Sequence, residues 1–238
     1  MRGTLYAGTS GFAYPAWAPA FYPPGARAAE LLRLYAARLP ACELNGTFYR
    51  QPTAASVGAW CTATPPEFRF SVKAQRGGSL RTLRGDPAET LGWLLPAYRA
   101  FGPRLGTVLL RVPDTIPRDD AALDRLLRAW PPDLPLTMEL QHASWEDDWV
   151  HERLRAAGAA LCVTELADDP EPPIVRLTGP FLYLRLRRHD YAPGELAAWA
   201  DRIEPFLSAG DDVFAFFRHD ERGRAAELAR ELLALART

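Results

Sequence analysis

Residues 107–141 read TVLLRVPDTIPRDDAALDRLLRAWPPDLPLTMELQ. The two ends of this stretch, Thr107–Val112 and Leu136–Gln141, are short apolar runs of strand character, and Asp119–Trp130 between them carries apolar residues at helical spacing. Strand, helix and strand joined by short connections make a parallel βαβ unit with a right-handed crossover. The alternation continues in both directions. Further strands are predicted at Leu5–Gly8, Ala41–Leu44, Phe68–Ala74, Ala160–Glu165, Phe181–Leu186 and Asp212–Phe217. Helices are predicted at Ala26–Leu39, Ala54–Cys61, Ala88–Phe101, Glu146–Ala157, Gly194–Leu207 and Arg224–Ala236. Eight strands favour closure into a TIM-type (β/α) barrel of the α/β class over an open doubly wound sheet. Ala167–Pro180 is rich in Pro, Asp and Glu and reads as a loop, so the barrel is expected to be irregular, with its sixth helix short or missing. At 238 residues the chain approaches the roughly 250 typical of one such barrel, and residues 1–238 are expected to form one domain.

The composition narrows the function classes. A net charge of -1 gives no global attraction to nucleic acid or to an anionic membrane. No apolar run approaches the roughly 18 residues of a membrane span, and no signal core follows Met1, so a cytoplasmic protein is expected. Cys42, Cys61 and Cys162 are odd in number and widely spaced, which argues against a disulfide framework and a structural zinc site. No Gly-rich dinucleotide or phosphate loop occurs, and neither a cofactor nor a metal is expected. One skew is informative: 27 of the 28 basic residues are arginine, Lys73 is the single lysine, and Asn45 is the single asparagine. Arginine cannot give up its proton as lysine can, and Asp cannot donate a hydrogen bond as Asn does, so both survivors are functional candidates.

In a TIM-type barrel the functional side chains come from the C-terminal ends of the strands. Alternation groups Glu43 with Asn45, Ser71 with Lys73, Leu109 with Arg111, Glu139 with Gln141, Tyr183 with Arg185 and Arg187, and Phe216 with Arg218 and Asp220. A polar mouth follows, unless these charges simply neutralise one another as a buried ion-pair ring.

Four segments carry a family resemblance: Gly8-Thr9-Ser10-Gly11-Phe12-Ala13-Tyr14 with Trp17 and Tyr22-Pro23; Glu43-Leu44-Asn45-Gly46-Thr47-Phe48-Tyr49-Arg50-Gln51-Pro52; Phe68-Arg69-Phe70-Ser71-Val72-Lys73; and Glu139-Leu140-Gln141-His142-Ala143-Ser144-Trp145. Together they resemble the domain-of-unknown-function 72 (DUF72, YecE-like) family, essentially end to end. The resemblance implies a TIM barrel with no established activity. It marks Ser10, Tyr14, Trp17, Glu43, Asn45, Tyr49, Arg50, Lys73, His142 and Trp145 as motif positions. Where the family usually has Gln ending the fourth strand and Arg ending the fifth, this chain has Arg111 and Gln141. That exchange reads as one required positive charge whose anchor moved. Arg185-Leu186-Arg187-Arg188, Arg218-His219-Asp220 and Glu165 also depart from the family pattern, which bears on whether its usual ligand is kept.

The leading expectation is an enzyme that binds a small anionic or phosphorylated metabolite. Arg50, Arg111 and Arg185, with Arg187 or Arg218, hold the anion. Lys73 reacts or transfers a proton, its pKa lowered by nearby guanidinium groups, Glu43 or Glu139 is the general base, and Asn45 orients the substrate. Ser10, Tyr14, Trp17, Tyr49, Gln141, His142 and Trp145 complete the expected binding set. One alternative is a metal-assisted hydrolase or isomerase using Glu43, Glu139, Glu165 and His142 or His219, which nearby arginines and the lack of a zinc-type motif disfavour. The other is a nucleic-acid or protein binding module in which Arg185, Arg187 and Arg188 act with Trp145, Trp149 and Tyr191, disfavoured by the slight negative charge. His151 is expected on a helix surface, and Trp93, Trp130 and Trp199 on helix faces that cover the sheet.

Overall fold

Eight parallel strands close on themselves in chain order in the computed structural model, which describes residues 1–169 and 171–236. They are β1 Leu5–Ser10, β2 Ala41–Leu44, β3 Arg69–Lys73, β4 Leu105–Val112, β5 Leu136–Leu140, β6 Ala160–Glu165, β7 Phe181–Leu186 and β8 Asp212–Phe217. The ladder from Leu5↔Val213 to Thr9↔Phe217 joins β8 back to β1, so the open sheet is excluded and the TIM-type barrel holds. The helices are α1 Leu31–Ala36, α2 Gly46–Tyr49, α3 Ala54–Thr62, α4 Arg76–Arg84, α5 Pro87–Arg99, α6 Asp120–Ala129, α7 Asp148–Ala156, α8 Pro193–Ala209 and α9 Arg224–Leu235. Among the described residues of 166–180, between β6 and β7, none is helical.

Two helices escape the sequence pattern for physical reasons. The single turn α2 is too short to show a period. In α4 the pair Gly77-Gly78 hides the helix, and Gly78 is there because Leu94 of α5 packs so close that an added Cβ would lie 2.7 Å from its side chain. The predicted helix 26–39 begins instead as a 3-10 turn, Ala28–Glu30, where Arg27 pairs with Glu30 at 3.0 Å. Two other expectations are corrected. His151 is buried on the inner side of α7, and Trp93 is 49% exposed, with the Arg81 guanidinium 5.5 Å above its ring. Trp199 is buried on α8, and Trp130 is buried just past the end of α6.

Alternation decides what fills the barrel. Ala41, Leu109, Ala160, Cys162, Phe181, Tyr183, Phe214 and Phe216 form one interior cluster, with Tyr6 stacked on Phe214 at 4.9 Å. These bulky rings plug the N-terminal part of the barrel. The inward positions nearer the C-terminal strand ends are polar: Ser10, Glu43, Ser71, Lys73, Glu139 and Arg185 are all buried. One wedge fixes β1 against β2. The Tyr35 hydroxyl accepts from the Thr9 amide at 2.8 Å and donates to the Ala41 carbonyl at 2.9 Å, and a Cβ on Gly8 would sit 2.0 Å from the Ala41 carbonyl oxygen and 2.9 Å from the Tyr35 oxygen. No described helix is long and apolar enough to cross a membrane.

Candidate functional site at the barrel mouth

The centre of the mouth is Arg185. Its guanidinium reaches both inward carboxylates, donating to Glu43 Oε1 at 2.9 Å and to Glu139 Oε1. Glu43 is saturated: Oε1 also accepts from Ser10 Oγ at 2.7 Å, and Oε2 accepts from the Tyr183 hydroxyl at 2.7 Å. Ser71 in turn lies 2.6 Å from the Tyr183 oxygen, which locks the tyrosine. Glu139 is not saturated. Its Oε2 is buried without a hydrogen bond among the described residues, 3.5 Å from Lys73 Nζ and 3.8 Å from Arg111 Nε. Arg185 Nε is a second buried orphan. Unpaired polar atoms at the heart of a buried network require a partner, and a pocket supplies one as a ligand or ordered water.

Lys73 closes the network. It ends β3, is 6% exposed, and its Nζ makes no hydrogen bond among the described residues. The Phe48 ring lies 5.0 Å from Nζ and 5.9 Å from the Arg111 guanidinium carbon, a cation–π cover over both. Phe48 was not among the residues expected at the site, although it lies inside the Glu43–Pro52 motif. The reason for α2 is now visible: the Thr47 hydroxyl is 2.6 Å from the carbonyls of both Leu44 and Lys73, so one turn ties β2 to β3 and sets Phe48 over the cations.

The charges shift one another. Burial pushes the Glu43 carboxyl up, but Arg185, Lys73 and Arg187 outweigh it and hold the group at about 2. Glu139 feels the same contest between burial and the charges of Arg185 and Lys73, and also falls below its ordinary value. Burial first, then Arg185, lowers the Lys73 ammonium against the pull of Glu139 and Glu43. Desolvation is therefore the larger cause, ahead of the guanidinium charge expected from sequence. Arg187 is more central than expected and donates to Ser10 Oγ at 3.0 Å.

The exchanged pair is in contact. Arg111 faces Glu139 in the β4–β5 register, and its Nε donates to Gln141 Oε1 at 2.8 Å. Beside them the wall opens: β5 and β6 pair only through Thr137↔Ala160 and Met138↔Leu161. A cavity of about 380 Å³ enters above that point, lined by Glu139, Cys162 and Thr164 from the strands, by Gln141 just past β5 and by Ile174 and Arg176 from the stretch between β6 and β7. A larger cavity, about 490 Å³, lies at the opposite end near Arg2 and Phe68, away from the strand ends where barrel chemistry gathers.

Other expected site residues lie elsewhere. Trp17 and Trp145 are buried, their indole N–H groups donating to the carbonyls of Asp220 at 2.7 Å and Ile116 at 3.0 Å, so they anchor loops under the mouth. Tyr49 is 80% exposed and Arg50 is exposed, both carried away from the pocket by the end of α2. His142 caps the turn after β5, its Nδ1 accepting from the Ser144 amide at 3.1 Å. Tyr14 is half-buried, stacks on His219 at 5.0 Å and donates to the Ser10 carbonyl at 3.1 Å. Asn45 lies just past β2, at the start of α2, half-buried, its side chain without a hydrogen bond among the described residues.

The donors of the metal reading do not meet. Glu165 points outward beneath α8, accepting from Tyr191 at 2.5 Å and Trp199 at 3.1 Å and pairing with Arg188 at 3.1 Å. Among the described residues no three His, Cys, Asp or Glu side chains converge as metal ligands. Nor do the stacking platforms form, because Trp145 and Tyr191 are buried and Trp149 is flanked by Arg118 and Arg153.

Residues 6–238 match the family described as Protein of unknown function DUF72. The chain belongs to that family. A curated relative, UPF0759 protein YunF of Bacillus subtilis (strain 168), is 23% identical, with 90% of this chain and 89% of the relative aligned. The crystal structure of a DUF72 family protein from Thermotoga maritima MSB8 superposes with a TM-score of 0.86 at 24% identity, covering 99% of this chain and 100% of that one. One from Enterococcus faecalis V583 gives 0.83 at 20% identity, covering 99% and 96%. At these identities the DUF72 structures establish the shared barrel.

Proposed function

We propose that this DUF72 protein is an enzyme whose barrel mouth binds a small anionic metabolite, with Lys73 and Glu139 as the pair that moves protons on it. The observation that carries the reading is an uncompensated positive charge: Lys73, Arg111, Arg185 and Arg187 surround two carboxylates, Glu43 and Glu139. Buried charges are retained where something balances them, and an anion does so here. Arg185 and Glu43 are occupied by each other and by Tyr183 and Ser10, so they hold the site in shape. That leaves Glu139, with its unbonded Oε2, as the base in preference to Glu43, and Arg111, whose side chain is 33% exposed, as the anion's first contact.

Phosphate and small carboxylates titrated into the protein are expected to raise its thermal midpoint, more strongly at low ionic strength. No rise with any of them at millimolar concentration removes the reading. The exchanged pair gives a sharper check. Arg111→Gln is expected to weaken the anion about tenfold or more, the worth of one charge-assisted hydrogen bond, and adding Gln141→Arg to recover most of that loss. Two additive losses in this double-mutant cycle would mean that the positions do not share one role.

A further inference from the structure

From the placement of its single lysine, we infer that this protein forms a covalent imine between Lys73 Nζ and the carbonyl carbon of a small aldehyde or ketone that also carries a carboxylate or phosphate. The inference rests on the anion-binding reading and names its substrate class. Composition, geometry and chemistry converge on it. The chain uses arginine at 27 of its 28 basic positions, so positive charge alone does not explain a lysine. A buried arginine holds a carboxylate better than lysine does, as Arg185 shows with two of them. What lysine adds is a nitrogen that can lose its proton and bond to carbon.

The surroundings match that task. Lys73 Nζ makes no hydrogen bond among the described residues, the Phe48 face covers it, and burial with Arg185 lowers its pKa against the pull of Glu139 and Glu43. Glu139 Oε2, 3.5 Å away and otherwise unbonded, is placed to take and return the proton. Resting distances at such sites often exceed hydrogen-bond length and close when substrate binds. Arg111 stands beside Glu139 at 3.8 Å for the anionic group. The cavity at the β5–β6 opening is lined by Glu139 and Gln141, which brings open space up to the carboxylate that faces Lys73.

The step balances without a co-reactant. Glu139 accepts a proton from the ammonium. The freed nitrogen pair attacks the carbonyl carbon, forming the C–N bond while the C=O π pair moves to oxygen, and a proton passes from nitrogen to that oxygen. Protonated Glu139 then delivers its proton to the resulting hydroxyl, which leaves as water while the nitrogen pair closes the C=N bond. The products are a protonated imine, one water and the regenerated carboxylate, with no net change in oxidation state.

The full chain contains two kinds of primary amine, the N-terminus and Lys73, which makes the test specific. The protein is incubated with cyanoborohydride and either pyruvate, dihydroxyacetone phosphate or neutral dihydroxyacetone, and peptides are mapped by mass. The expected result is one reduced adduct at Lys73 with at least one of the two anionic carbonyls, formed about tenfold faster than with the neutral one, as a charge-assisted contact predicts. Lys73→Arg keeps the charge and is expected to retain only N-terminal labelling. Thermal shifts with phosphate, measured in parallel on both proteins, separate the two readings. A stabilising shift without a Lys73 adduct overturns the imine and leaves the anion site standing. Equal labelling of Lys73 by dihydroxyacetone overturns the substrate class. The absence of both shift and adduct overturns the two together.

Discussion

Arg185→Met is expected to destabilise the protein by about 3–5 kcal/mol, because it leaves buried carboxylates without their partner. Arg185 is 5% exposed and donates to Glu43 and Glu139, which are 0% and 2% exposed, so neither acid can turn to water when the guanidinium goes. Methionine fills much of the volume, which separates lost charge from an empty cavity. Lysine at this position is expected to recover little: the two carboxylates are reached through different nitrogens of one planar fork, and an ammonium is a single point. Urea unfolding at neutral pH reads the loss. Adding Glu43→Gln and Glu139→Gln to Arg185→Met is expected to restore part of it, since removing the uncompensated charges removes the penalty. A loss under about 1 kcal/mol would show that Lys73, Arg111 and Arg187 take over the acids, and that Arg185 is not the pivot of the mouth.

That pivot is only partly legible in the sequence. The barrel is readable because each unit declares its own period: strands such as Phe181–Leu186 and helices such as Asp120–Ala129 need no distant information. Alternation also places Glu43, Lys73, Arg111, Glu139 and Arg185 on the inward side, and the skewed composition singles out Lys73 and Asn45. What alternation cannot give is pairing across the barrel. Arg185 and Glu43 are 142 positions apart, and which acid it saturates depends on the Tyr183 and Ser10 hydroxyls that complete the shell. Glu43 and Glu139 therefore read alike in sequence and differ in the fold, one closed and one with a free oxygen. Trp17 and Trp145 show what motif membership leaves open. Motif membership marks them as binding residues, but their N–H groups hold loop carbonyls, and a motif preserves packing as readily as chemistry. His151 misleads for a related reason: a lone polar residue on a helix carries no trace of which face the barrel covers.

Acid is expected to unfold this protein early, with Glu43 supplying about 3 kcal/mol of the dependence. Its ordinary pKa of 4.5 falls to about 2 in the fold, where Arg185, Lys73 and Arg187 overcome the cost of burial. A depressed folded-state pKa means that the unfolded chain binds the proton more readily, so the contribution is full above about pH 5 and is lost as the pH falls toward 2. A tenfold difference in proton affinity between folded and unfolded chain is worth about 1.4 kcal/mol, which gives the stated size. Glu139 is lowered in the same direction by Arg185 and Lys73 and adds to the loss of stability on the acid side. The measurement is the urea midpoint of the native protein against that of Glu43→Gln through this range. The variant is expected to be weaker near neutrality, where the charge on Glu43 counts, and to approach the native protein at the acid end, where protonated Glu43 is as neutral as the glutamine that replaces it. Parallel curves with a constant gap would show that the residue contributes shape alone, and that the charges gathered around it do not set its ionisation.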